Sequence, residues 1–189
     1  MKNVLCALSI ITVIATGCSN SQAHTDDPKK TADSASASTD TKATPAENAG
    51  TKWKYSDEED KMTSQKTFFA TLVANEQLNL KMPYDGGVTV SLMIRSKNKS
   101  NDVILNLSKG QFMTGINGQD IRVRFDSAKV ETIHCSGAND GSTENLFIMP
   151  ANKFLAKLKK AKKVLIEAEL FDNGSQQMEF NTDGFKWEY

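Results

Sequence analysis

Val88-Thr89-Val90-Ser91-Leu92-Met93-Ile94-Arg95 places an aliphatic residue at every second position. In an extended chain Val88, Val90, Leu92 and Ile94 fall on one side and Thr89, Ser91, Met93 and Arg95 on the other, the pattern of a half-buried strand. The alternation recurs along the chain. Val103, Leu105 and Leu107 oppose Ile104, Asn106 and Ser108, and Ile121, Val123 and Phe125 oppose Arg122 and Arg124. Val164, Ile166, Ala168 and Leu170 oppose Glu167 and Glu169, and Met178 and Phe180 continue the series. Residues 67–73, 130–135 and 144–149 also read as strands.

Turn signals separate these runs. Asn117-Gly118 and Asn173-Gly174 are hairpin dipeptides, because both central positions of a type I′ turn need positive φ. Asp85-Gly86-Gly87, Asp140-Gly141 and Asp183-Gly184 add further breaks. One segment departs from period two. In Pro150-Ala151-Asn152-Lys153-Phe154-Leu155-Ala156-Lys157-Leu158-Lys159-Lys160-Ala161, Phe154, Leu158 and Ala161 form a helical stripe, widened by Leu155 and Ala151, with lysines opposite. The expectation is a mainly β domain: an antiparallel β-sandwich or open barrel with one amphipathic helix at about 150–162.

Upstream, Met1-Lys2-Asn3 precedes an apolar run from Val4 to Thr16, then Gly17 and Cys18. The run has the length of a signal-peptide core and is short for a bilayer span. Ala15-Thr16-Gly17-Cys18 resembles the lipobox of bacterial lipoproteins, with Ala15 where Leu is usual. The resemblance implies that signal peptidase II cleaves between Gly17 and Cys18, and that Cys18 carries a diacylglycerol and a further acyl chain. Two or three chains hold a protein stably on a bilayer, where one does so only marginally. Ser19 replaces the Asp that retains many lipoproteins in the inner membrane. The implied location is the outer membrane, with the domain facing the periplasm and the cell surface as second choice.

Residues 18–51 follow as lipidated cysteine and tether, rich in Ser, Thr, Ala, Asp and Lys, with Pro28 and Pro45. Such composition buries too little apolar surface to offset ordering entropy. A flexible chain of that length spans roughly 30 Å. His24 lies there with no ligand partner nearby, so no metal is expected. The domains are thus 1–17, a signal peptide; 18–51, the tether; and 52–189, one β-rich globular domain.

Lys52-Trp53-Lys54-Tyr55 and Lys186-Trp187-Glu188-Tyr189 echo one another at the two ends of that domain. The expectation is that terminal strands lie close and pool Trp53, Tyr55, Trp187 and Tyr189. Core packing is the plain reading; an aromatic binding surface for glycan or peptide is the sharper one.

Formal net charge is zero, which gives no electrostatic case for nucleic acid. With Cys6 in the signal peptide and Cys18 acylated, Cys135 has no partner for a disulfide. His134 and Cys135 are adjacent on a strand, so they point to opposite faces, and a buried structural thiol fits better than a nucleophile. Asp57-Glu58-Glu59-Asp60 lacks the turn-enforced spacing of a calcium loop and reads as a solvated loop between strands, with weak cation binding as the alternative. Lys153, Lys157, Lys159, Lys160, Lys162 and Lys163 read as a solvated helix face, with lipid phosphates or envelope carboxylates as the alternative partner. There is no Walker loop, dinucleotide fingerprint, zinc-ligand spacing, Gly-x-Ser-x-Gly elbow or His-Glu-x-x-His. No cofactor and no catalytic residue are expected.

Within the domain, Trp53…Asp60-Lys61-Met62-Thr63, Pro83-Tyr84-x-Gly86-Gly87, Gly110-Gln111-Phe112, Val123-Arg124-Phe125-Asp126, Leu146-Phe147-Ile148 and Gly184-Phe185-Lys186-Trp187 resemble an uncharacterised class of bacterial periplasmic and lipoprotein β domains. The Trp53…Asp60 opening is also loosely similar to accessory proteins of type VI secretion. Neither resemblance implies a catalytic set. The leading expectation is a membrane-anchored envelope lipoprotein, non-enzymatic, held to the bilayer through Cys18 and binding an envelope protein or polymer. The alternatives are an inhibitor or immunity-type protein, acting through a loop such as 136–142 or 97–102, and a carboxylate-based hydrolase.

Overall fold

The structure, a computed structural model, describes Ala46–Glu47 and residues 52–189. Gly17, Cys18 and the rest of the expected tether lie outside the described residues, except Ala46–Glu47, which pair with Tyr55 and Lys54 as a short strand. Ten antiparallel strands form one sheet: β1 (Ala46–Glu47), β2 (Lys54–Asp60), β3 (Gln65–Val73), β4 (Val90–Lys97), β5 (Ser100–Leu107), β6 (Gln119–Phe125), β7 (Glu131–Gly137), β8 (Asn145–Ile148), β9 (Lys163–Leu170) and β10 (Gly174–Asn181). Helix α1 (Ala151–Leu158) lies between β8 and β9. The strand order is β1-β2-β3-β4-β5-β8-β7-β6-β9-β10. Among the described residues the fold is mainly antiparallel β with a single short helix, in keeping with a sandwich or open barrel.

Alternation becomes burial directly. Along β6, Gln119, Ile121, Val123 and Phe125 are buried while Asp120, Arg122 and Arg124 are exposed. In β4, Val90, Leu92 and Ile94 enter one core cluster with Val103, Leu105, Ile121, Val123, Val164 and Ile166. The sheet curls enough for its two sides to meet: Asn75 N, just past β3, donates to Glu179 O of β10 at 2.8 Å, and the indole of Trp53 donates to Thr182 O at 3.3 Å. Ile104, placed outward by the alternation, is also buried. It sits beside Met93 and Phe147 in register, on the side away from the core, and Arg95 lies over the Phe147 ring at 5.9 Å.

The strand order dictates two long connections. Because β8 rather than β6 pairs with β5, the β5–β6 connection must pass β8 and β7, and the β8–β9 connection must pass β7 and β6. The second houses α1. Phe154, Leu155 and Leu158 are its buried stripe, and Phe154 meets Phe125 edge-on at 5.2 Å. The lysine-rich pattern predicts helix to about 162, but α1 ends at Leu158. Asp126, in the left-handed region at φ 47°, accepts from Lys162 N at 3.0 Å and Lys163 N at 2.9 Å. Those bonds turn the chain into β9.

Three further expectations are corrected. The acidic run 57–60 is not a loop but the exposed body of β2, paired residue by residue with β3 from Asp57↔Phe68 to Asp60↔Gln65. The Asn117-Gly118 turn closes through Gly118 N to Gly115 O at 3.0 Å with positive φ only at Gly118, so it is not type I′. Leu170 pairs with Gly174, making a three-residue loop, 171–173, with positive φ at Asp172 and at Gly174 just after it. The hairpin with a two-residue I′ geometry is β4–β5, where Asn98 and Lys99 stand at φ 54° and 61° between Lys97 and Ser100. Residues 97–102 are therefore strand ends around a tight turn, not a protruding loop.

Candidate functional site

The two ends of the domain do bring the expected aromatics together, although residues 182–189 form no strand. Trp53 lies 4.4 Å from Phe185 between ring centroids. Phe185 lies 6.4 Å from Trp187, and Trp187 lies 5.2 Å from Tyr189. Tyr189 stacks on Phe68 at 3.8 Å. Tyr55 accepts from Lys186 N at 2.9 Å, and its partial burial pushes the phenol pKa up. Trp53 is fully buried and Trp187 nearly so, whereas Tyr189 is 54% exposed. The cluster therefore packs the core at its Trp end and meets solvent at Tyr189.

His134 and Cys135 separate as the strand geometry requires. Cys135 is fully buried, and desolvation, with the Asp120 charge adding to it, pushes its thiol up to about 12. His134 is exposed on the outer face, its Nδ1 2.9 Å from Asp120 Oδ1 across the β6–β7 pair. Among the described residues no group of three or more His, Cys, Asp or Glu could hold a metal ion, and no helix is long and apolar enough to cross a membrane. Of the basic face, Lys157 pairs with Glu131 and Lys163 with Glu179.

The surface that the sequence does not foretell is a crown of connections beyond the C-terminal ends of β5 and β9. Hydrogen bonds tie its members together. Lys81 N donates to Asn173 Oδ1 at 2.8 Å, and Phe171 N donates to Gln111 O at 2.9 Å. Gln111 Nε2 donates to the Tyr84 hydroxyl at 3.0 Å. Met113 N and Gln119 Nε2 both donate to Glu169 O, at 3.0 and 2.9 Å, and Phe112 N donates to Thr143 O at 2.9 Å. Leu80 and Phe112 anchor the crown in the core. Its rim carries Met82, Met113, Ile116 and Phe171, all exposed, with Ile116 fully so at 107%.

Beside this rim runs an open groove of about 530 Å³, between residues 114–118, residues 138–143 and the outer face of β7. Loop 138–143 does not stand clear of the domain. Asp140 Oδ1 accepts from Ser142 N at 2.9 Å, and Ser142 Oγ accepts from Asn145 Nδ2 at 2.8 Å, so the loop folds back as the groove wall. The groove volume lies within the roughly 300–1,000 Å³ of ligand sites.

No protein-family model matches this chain, and no curated protein matches it. Among solved structures, the crystal structure of invasion associated protein B from Bartonella henselae is similar at 12% identity and a TM-score of 0.42, over 71% of this chain and 86% of that one.

Proposed function

We propose that this chain is a lipid-anchored envelope protein whose β domain is a non-enzymatic binding module, engaging an envelope protein or polymer through the loop crown. The observation that supports this reading most is the rim: Met82, Met113, Ile116 and Phe171 stay exposed on connections that hydrogen bonds hold in place. Exposed apolar side chains on rigidly positioned loops are what a contact surface needs. The lipobox-like Ala15-Thr16-Gly17-Cys18 supplies the anchor, and the tether lets the crown search the space around it.

Two experiments test this. Chemical cross-linking of cells carrying the full-length chain should give adducts that an Ile116→Ser/Phe171→Ser variant loses; undiminished adducts would refute the crown. A Cys18→Ala variant should lose acyl labelling, and retained labelling would refute the anchor. A hydrolase is the second reading, favoured by the Asp120–His134 pair, since a carboxylate on Nδ1 leaves Nε2 free to take a proton. The readings separate on the bound partner: a module returns it intact after prolonged incubation, and a hydrolase returns fragments.

A further inference from the structure

We infer that the groove beside the crown binds an uncharged saccharide. The inference rests on the binding-module reading and names the ligand class. Among the residues that line the groove there is no Asp, Glu, Lys or Arg. Their polar groups are hydroxyls, amides and one imidazole. The nearest carboxylates lie behind the lining: Asp140 Oδ1 accepts from Ser142 N, and Glu144 Oε2 accepts from Ser142 Oγ at 3.3 Å. Thr114, Asn117, Ser136, Asn139 and Thr143 line the groove and make no side-chain hydrogen bond among the described residues, which leaves their donors and acceptors unused by the protein.

That lining selects by chemistry. A pyranose presents hydroxyls that both donate and accept, as Asn and Thr side chains do, and a C–H face that an apolar side chain covers. Ile116 offers such a side chain at the rim. His134 adds a directional group: with Nδ1 on Asp120 at 2.9 Å, Nε2 is left for a ligand hydroxyl. An anionic polymer would need cations that the groove lacks. An extended peptide would need an unpaired strand edge, but β7 is already paired on both sides, with β6 and β8.

Gly115 makes the test clean. Gly115 lines the groove, its φ lies outside the left-handed region, and a Cβ built there meets nothing within 4 Å, so Gly115→Leu adds bulk at the groove without strain. The full-length chain in detergent is screened on an array of neutral oligosaccharides. Chitotetraose and maltotetraose are also titrated by calorimetry, with a heparin tetrasaccharide as the charged comparison. The expected result is saturable binding of a neutral oligosaccharide, weakened about tenfold or more (~1.4 kcal/mol) in both Gly115→Leu and Asn139→Ala/Thr143→Ala, at unchanged melting temperature. The inference is overturned if no neutral oligosaccharide binds, if Gly115→Leu binds as well as the parent, or if heparin binds as tightly. Should it fall while the Ile116→Ser/Phe171→Ser variant still loses its cross-linked adducts, the binding-module reading stands; should those adducts persist as well, both are lost.

Discussion

At the residue scale, Cys135 shows how one position answers a chemical question. A fully buried thiol held near 12 is protonated at every physiological pH and is no nucleophile. Cys135 should react with a thiol reagent at a rate set by unfolding, with no acceleration between pH 7 and 9; rapid labelling of Cys135 itself, located by peptide mapping, would contradict its burial. The carboxylates behave oppositely. Glu167 is held below the ordinary glutamate range first by the Gln177 amide and then by Arg122, and Glu179 first by its bond to Lys163. Depressed carboxylates contribute stability that is complete above their unfolded pKa and lost as pH falls through the folded one. Thermal stability should therefore hold from pH 7 to about 5 and decline below about pH 4.3. In Glu167→Gln/Glu179→Gln that acid decline should be shallower, which melting curves across pH would show.

At the scale of elements, the β4–β5 hairpin carries both central residues at positive φ without a glycine. A left-handed conformation costs an L-residue about 1–2 kcal/mol, and Asn-Gly is the favoured I′ pair. Lys99→Gly should stabilise the domain by roughly 0.5–1 kcal/mol, the strain relief less the added unfolded-state entropy; a lower urea midpoint would contradict the turn. This element also shows where the sequence is silent. Strands with one buried face announce themselves, because Val90, Leu92 and Ile94 must alternate with polar residues to meet the core. Asn98 suits the first position of a I′ turn, but Lys99 does not suit the second, and it is the Lys97–Ser100 pairing that makes the turn. Strand β2 is illegible for a related reason: Asp57, Glu58, Glu59 and Asp60 are all exposed, so only the ladder to β3 makes them a strand. Among the described residues β1 pairs only with Lys54 and Tyr55, so 57–60 form an acidic edge, which resists pairing with another chain.

At the scale of the molecule, one closure and one surface organise the account. The closure is the aromatic cluster joining residues 53–55 to 185–189, which was legible as an echo of Trp and Tyr. Trp187→Ala should cost about 3–5 kcal/mol, as for other buried large aromatics. Tyr189→Ala, half exposed, should cost about 0.5–1.5 kcal/mol for its stack on Phe68. Equal, small losses in denaturant titration would mean that the cluster is a surface platform instead. The crown was not legible. Its members come from residues 80–84, 109–118 and 171–173, far apart in sequence, and only tertiary bonds such as Lys81 to Asn173 and Phe171 to Gln111 gather them. Exposed Met and Ile in a loop carry no periodicity, and the groove's neutrality emerges only when its walls are assembled.

Under the proposed reading, this crown is where the domain meets its partner, in preference to the other exposed apolar positions among the described residues. Met62 provides the control, 93% exposed in the β2–β3 turn. A benzophenone amino acid is placed at Ile116 or at Met62 of the full-length chain in cells, which are then irradiated. The account expects a discrete adduct from position 116 and none from position 62; adducts from 62 alone, or equal adducts from both, would contradict it.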